Sequence, residues 1–324
     1  MKQRDPIEFG IILSLDRAMI LQQSELISAD LSYFPEDSQP HIYLICKRPR
    51  ISFDPDRIEI NDGVITLGIR VQRQANVENH TYSMFHNYEI KTIEWDCPYP
   101  FSFLTVKLNG QKLLRLKAAA MAQTASNYQV EDDYLDLEIV YVGQSYGREG
   151  SRTAPARILN HSTLQTIYAD TSQKNPDCEV WLVLCSFSQT IATSLDGLSD
   201  SKNDFLEDQK DKLFQKLTKE GIGPSQEINL AEAALIRYFR PDYNVIYKES
   251  FPKLGHQGYL ECYVLGINSI SMELSTVEQL NCQFYSSHVE RKFTHIFHYT
   301  LHTEQEKQSM YQFFPDFKVP GLQN

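Results

Sequence analysis

Between residues 137 and 241 the spacing of apolar residues switches repeatedly between strand and helix patterns, and this alternation narrows the folds open to the chain. Leu137 to Val142 is a compact apolar run of strand length, followed by a Gly- and Ser-rich loop, Gly143 to Ser151. Ile158, Leu159, Leu164, Ile167 and Tyr168 then recur at helical spacing. That helix is expected to start near Thr153, because Pro155 in a first turn presets φ without losing a hydrogen bond. Glu179 to Phe187 reads as a second strand, and Asn229 to Phe239 as a second helix ended by Pro241. The polar stretch Ser194 to Gly221 predicts one exposed helix over 204–219. The pattern predicts an α+β unit, a small mixed sheet flanked by helices.

Both flanks are β-type. Ile7 to Leu15, His41 to Cys46, Ile58 to Ile60, Val64 to Val71 and Thr81 to Trp95 have strand composition, with Lys112 to Ala125 as a helix leading out. Asn61-Asp62-Gly63 and Asn109-Gly110 predict hairpins, since such pairs accept the positive φ that twisted strands need. After Phe251, Gly258 to Leu265, Leu280 to Tyr285 and Phe293 to Leu301 return to β-type runs. The expected division is a β-rich N-terminal domain (1–125), the α+β unit (126–250, with a charged helical insertion at about 194–221) and a β-rich C-terminal extension (251–324).

Composition sets outer limits. No apolar run approaches membrane-spanning length, and Met1 to Gly10 lacks the apolar segment of a secretory signal. Six dispersed cysteines without a Cys-x-x-Cys pair suit reduced thiols, so a cytoplasmic location with no membrane contact is expected. The net charge of −11 gives no support to nucleic-acid binding. The excess lies in residues 126–250, with 12 Lys+Arg against 20 Asp+Glu, clustered at Glu131-Asp132-Asp133, Asp136 and Glu138, and from Asp196 to Asp211.

Five residues carry the candidate chemistry. Tyr141 ends the first central strand, and Gly143 lets a ligand approach the backbone closely. Arg157 and His161 stand four apart, on one face of the expected helix. Glu232 lies on the later helix, and Asn244 follows Pro241-Asp242-Tyr243. Each has an ordinary alternative: a half-buried strand tyrosine, a solvated helix face, a turn asparagine, and an Asn229/Glu232 capping box that would fold the carboxylate back on its own helix start. His295, His298 and His302 suggest a metal set, but strand alternation puts His295 opposite the other two, so a structural role is expected.

Taken in order, Tyr141-Val142-Gly143, Arg157 to His161, and Glu232 leading to Pro241-Asp242-Tyr243-Asn244 resemble the GIY-YIG nuclease family, over about 120 of the 324 residues. The family's first Gly-Ile-Tyr motif has no such tripeptide just upstream of Tyr141; Tyr128 is the nearest candidate for its tyrosine. Gln144 stands where some members carry Lys, and Arg148 or Arg152 could supply that charge. The resemblance implies a GIY-YIG-like fold and phosphodiester hydrolysis in nucleic acid, most naturally DNA. In that reading Tyr141 is general base, Arg157 and His161 assist, Glu232 binds Mg²⁺ (or Mn²⁺), and Asn244 orients substrate or its neighbours. Gly143, Gln144, Arg148, Arg152 and Tyr128 would line the substrate, and the β-rich regions would be open to a protein partner or a second copy. The competing expectation is an inactive, acidic interaction or assembly protein of the same fold.

Overall fold

A computed structural model describes residues 7–61, 63–87, 93–125, 130–145, 157, 158, 161–195, 215, 217, 219, 221–252, 262 and 267–301. Its strands are β1 (Ile7–Leu21), β2 (Ile42–Asn61), β3 (Val64–Arg73), β4 (Asn76–Phe85), β5 (Ile93–Asp96), β6 (Phe103–Leu108), β7 (Gln111–Lys117), β8 (Leu137–Gln144), β9 (Cys178–Leu195), β10 (Ile267–Ser275), β11 (Phe284–Tyr285) and β12 (Thr294–Thr300). Its α-helices are α1 (Ala118–Ala125), α2 (Ser162–Lys174) and α3 (Pro224–Phe239). The architecture is α+β and rich in strand. Among the described residues no helix is long and apolar enough to cross a membrane.

One large sheet runs in the order β11-β8-β2-β9-β1-β10-β12, with β3 and β4 added to the far half of β2, while β5-β6-β7 form a separate small sheet. Strands from all three expected segments therefore share one sheet, and it crosses both expected domain boundaries. The long β2 makes this possible. Ile42 to Pro49 pair antiparallel with β9, Ile42 to Lys47 with β8 on the other side, and Arg50 to Asn61 with β3.

The start of β2 shows why it is central. Ile42, Tyr43, Leu44, Ile45 and Cys46 are all buried, the continuous pattern of a strand covered on both faces. Ile42, Leu44 and Cys46 join the larger core with Leu230, Leu235 and Phe239 of α3, whereas Tyr43 and Ile45 join a second core with Leu164 and Ile167 of α2. Each large side chain buried in these layers contributes roughly 1.5–3 kcal/mol.

Three helix expectations change. Residues 111–117 form β7 rather than helix, because the Asn109-Gly110 turn (φ 51° and 76°) folds them onto β6 and only Ala118 onward is helical. The last helix begins five residues before Asn229, where Gly223 is the N-cap and Pro224 takes the first helical position. Asn229 and Glu232 are thus mid-helix, which removes the capping-box alternative. Finally, His161 is not within a helix turn shared with Arg157: it is the extended N-cap of α2 (φ −87°, ψ 112°). The runs 153–156 and 204–214 and most of 258–265 lie outside the described residues.

Candidate functional site

The C-terminal end of β8 organises the site. Ile45 pairs with Tyr141 but Cys46 with Ile139, so Val140 is a bulge residue. In an unbroken strand Tyr141 would share the face of Ile139. The bulge instead turns it towards α2, where it packs with the second core, while Ile139 and Val142 stay on the α3 side.

Tyr43 is opposite Gly143 in the β2–β8 register, and its ring lies across that glycine. A Cβ added at Gly143 would fall 2.5 Å from Tyr43 Cζ and 2.7 Å from Tyr141 Cε1, so only glycine leaves both phenols their places. Tyr43 is fully buried, and its hydroxyl closes no well-formed hydrogen bond. Burial, then the neighbouring Tyr141, pushes its pKa above the ordinary phenol range, while Arg157 opposes the rise.

Tyr43, Tyr141 and His161 form a triangle of rings, with centroids 6.2, 5.2 and 5.9 Å apart. The N-cap position fixes the imidazole. Leu164 N–H donates to His161 Nδ1 at 3.3 Å, which places the proton of the neutral ring on Nε2. That Nε2–H faces the Tyr141 hydroxyl at 3.4 Å. Burial and the Arg157 charge both lower the His161 pKa, which keeps the ring neutral.

Glu232 reaches the same place from α3. Its Oε2 accepts from Gln144 Nε2 at 2.8 Å, and the same nitrogen donates to Asn229 Oδ1 at 2.7 Å. Gln144, expected to line the substrate, is joined in this structure to the Glu232 carboxylate and the Asn229 amide. Burial pushes the Glu232 carboxyl up to about 7, against the Gln144 hydrogen bond and Arg157. Its charge in turn raises the Tyr141 phenol, second only to burial and opposed by Arg157. Arg157 is exposed and acts electrostatically on all four groups, Tyr43, Tyr141, His161 and Glu232.

The Asn244 side chain faces the edge of β8. It is only 7% exposed, and both ends of its amide bond the backbone of Val142: Val142 N–H donates to Oδ1 at 2.9 Å and Nδ2 donates to Val142 O at 2.8 Å. Tyr243 N–H adds a bond to Val140 O at 3.1 Å. Because β11 pairs only with Leu137 and Glu138, this half of β8 is an edge, and the asparagine amide satisfies it as a neighbouring strand would. Asn244 is therefore a positioning residue.

Of the expected site residues, Tyr141, His161, Glu232 and Arg157 come together around Gly143, while Tyr128, Arg148 and Arg152 lie outside the described residues. The tyrosine that sequence reading missed is Tyr43. Its signal in the sequence is His41-Ile42-Tyr43, an Ile-Tyr pair heading an apolar strand about a hundred residues upstream of Tyr141. His295 is structural as expected: it is buried, with Nε2 3.0 Å from Phe284 O and Nδ1 3.2 Å from Tyr238 Oη, while His298 sits on the exposed face and His302 lies outside the described residues. Part of the acidic cluster is neutralised well away from the site. Asp133 pairs with Arg73 and Arg291, and Glu138 with Lys47 at 3.4 Å. Among the described residues no group of three or more His, Cys, Asp or Glu gathers as a ready metal cage. Compared with protein-family models, curated proteins and solved structures, the chain matches none.

Proposed function

We propose that the chain is a metal-dependent phosphodiesterase acting on nucleic acid, most naturally an endonuclease of DNA, with a GIY-YIG-like centre. One observation carries the reading: Tyr43 on β2 and Tyr141 on β8 meet across Gly143, within the field of Arg157 and Glu232. His41-Ile42-Tyr43 then takes the part of the first motif, in place of Tyr128, and the strand it heads pairs directly with the Tyr141-Val142-Gly143 strand.

The donor set suits a hard cation. Glu232 is a single, largely desolvated carboxylate beside an amide and two phenols, with no thiolate among the groups described around it. Mg²⁺ and Mn²⁺ are commonly held in this way, by one or two carboxylates with water and substrate oxygens completing the shell. When bound, the ion would supply Lewis-acid polarisation of the phosphate and stabilise the leaving oxygen. The chain's own groups divide the remaining work. Arg157 forks onto a non-bridging oxygen, a planar match to phosphate. Tyr141 acts as the phenolate, held in that form by His161 Nε2–H and the Arg157 charge; it takes the proton of the attacking water and becomes the neutral phenol. Tyr43 and Gly143 fix the Tyr141 ring, and Asn244 fixes the strand end that bears it.

The test is a supercoiled-plasmid nicking assay with and without Mg²⁺, comparing the wild type with Glu232→Gln and Arg157→Ala. Mg²⁺-dependent nicking lost in both variants is expected; nicking that persists in both overturns the reading. The acidic total and the neutral Gln144 favour the second reading, an inactive assembly protein, which instead predicts no Mg²⁺ binding and indifference to Tyr141→Phe.

A further inference from the structure

We infer that Gln144 and Asn229 form a positioning clamp that holds the Glu232 carboxylate in the orientation it presents to the cation. The inference rests on the proposed function and deepens it. Asn229 and Glu232 are three apart on α3, so their side chains leave the helix on one side, one turn from each other. Both present an acceptor oxygen to the same Gln144 amide nitrogen, at 2.7 and 2.8 Å. A primary amide has two hydrogens, and here each has a partner. The ionised Glu232 carboxylate can only accept, so Gln144 presents its nitrogen to it and Asn229 then presents its oxygen to the same nitrogen.

Two consequences follow. Gln144 Nε2 holds Glu232 Oε2, so the carboxylate plane that meets the cation is set by a strand as well as by its own helix. The clamp is also neutral. A lysine in place of Gln144 would hold the carboxylate by cancelling its charge, whereas the amide holds it without adding a compensating positive charge. Asn229 does not touch the cation in this arrangement. It takes up the second amide hydrogen and so keeps Gln144 turned towards Glu232, the kind of outer partner whose loss typically weakens metal affinity 10–100-fold.

Calorimetric titration of the full chain with Mg²⁺, repeated with Mn²⁺ and read by electron paramagnetic resonance, tests the clamp. Glu232→Gln is expected to abolish binding. Gln144→Leu and Asn229→Leu, which keep side-chain volume but remove the polar link, are expected to weaken it about tenfold or more with unchanged circular dichroism and Tm. Asn229→Asp retains an acceptor for the amide and is expected to restore binding. Gln144→Lys is expected to weaken it most among the clamp variants. Full-strength binding in both leucine variants, alongside its loss in Glu232→Gln, overturns the clamp and leaves the proposed function intact. Failure of the wild type to bind either ion overturns both.

Discussion

The two ends of β8 are built in opposite ways. At Leu137 and Glu138 the strand has a neighbour on each side, β11 and β2, and its charges are matched: Glu138 pairs with Lys47, and Asp136 accepts from the Gln283 amide at 2.8 Å. At Tyr141 to Gln144, about 10–20 Å further along at strand rise, β11 is gone, a side-chain amide substitutes for it, one phenol is buried without a well-formed hydrogen bond on its hydroxyl, and a desolvated carboxyl titrates near 7. One strand thus serves stability at one end and holds costly polar groups at the other. Perturbed groups gathered in this way are the usual mark of a working site.

The largest break in that contrast should come from Glu232→Gln. Loss of nicking by roughly a thousandfold is expected, on the scale of removing a principal electrostatic group, while a charge change at the Lys47–Glu138 end leaves activity near wild type. Tyr141→Phe should cost roughly a hundredfold or more, as expected for loss of a general base, measured as kcat on an oligonucleotide duplex.

The pH dependence sharpens the same point. The Glu232 pKa is raised by burial from 4.5 to about 7 in the folded chain, so the native state holds this proton more tightly than the unfolded one. Stability from this group is complete below the unfolded pKa and is lost as pH rises through about 7, by up to about 3 kcal/mol. Activity that needs the carboxylate rises through the same window. Glu232→Gln should therefore flatten the pH dependence of Tm and raise Tm at pH 8, even as it removes activity. A Glu232→Gln variant with the wild-type slope would remove the desolvated carboxyl from this account.

Smaller effects distinguish the ends by packing. Gly143→Ala should destabilise by about 1–3 kcal/mol, because the new methyl meets the Tyr43 ring, and should lower activity beyond its effect on stability. Leu137→Ala, at the other end, should cost about 2–5 kcal/mol in urea unfolding while the folded fraction keeps its activity. Smallest of all, Lys47→Met should change stability by about 1 kcal/mol or less, since the pair it breaks is partly solvated.

Much of this was legible in the sequence because it is local. The spacing of Tyr141 to Gly143, the order of Arg157, His161, Glu232 and Asn244, the Asn-Gly turns and the alternation that separates His295 from His298 all depend on near neighbours in the chain, and each could be read directly. Local reading also misplaced things where a neighbour elsewhere decided. Lys112 to Lys117 look helical until the turn before them folds them onto β6. Asn229 looks like a helix start until Gly223 and Pro224 are seen to provide one.

The sequence alone determined which polar residue types were available to the candidate site, and the helix and strand signals that carry most of them. Tertiary structure alone decided that Tyr43 joins them, that Asn244 closes a strand edge, and that Gln144 grips Glu232. The reason is physical. Helix faces and turns are set by contacts a few residues apart, but strand partners are chosen by closure of the whole sheet, and no spacing in the chain records which strand will lie beside which.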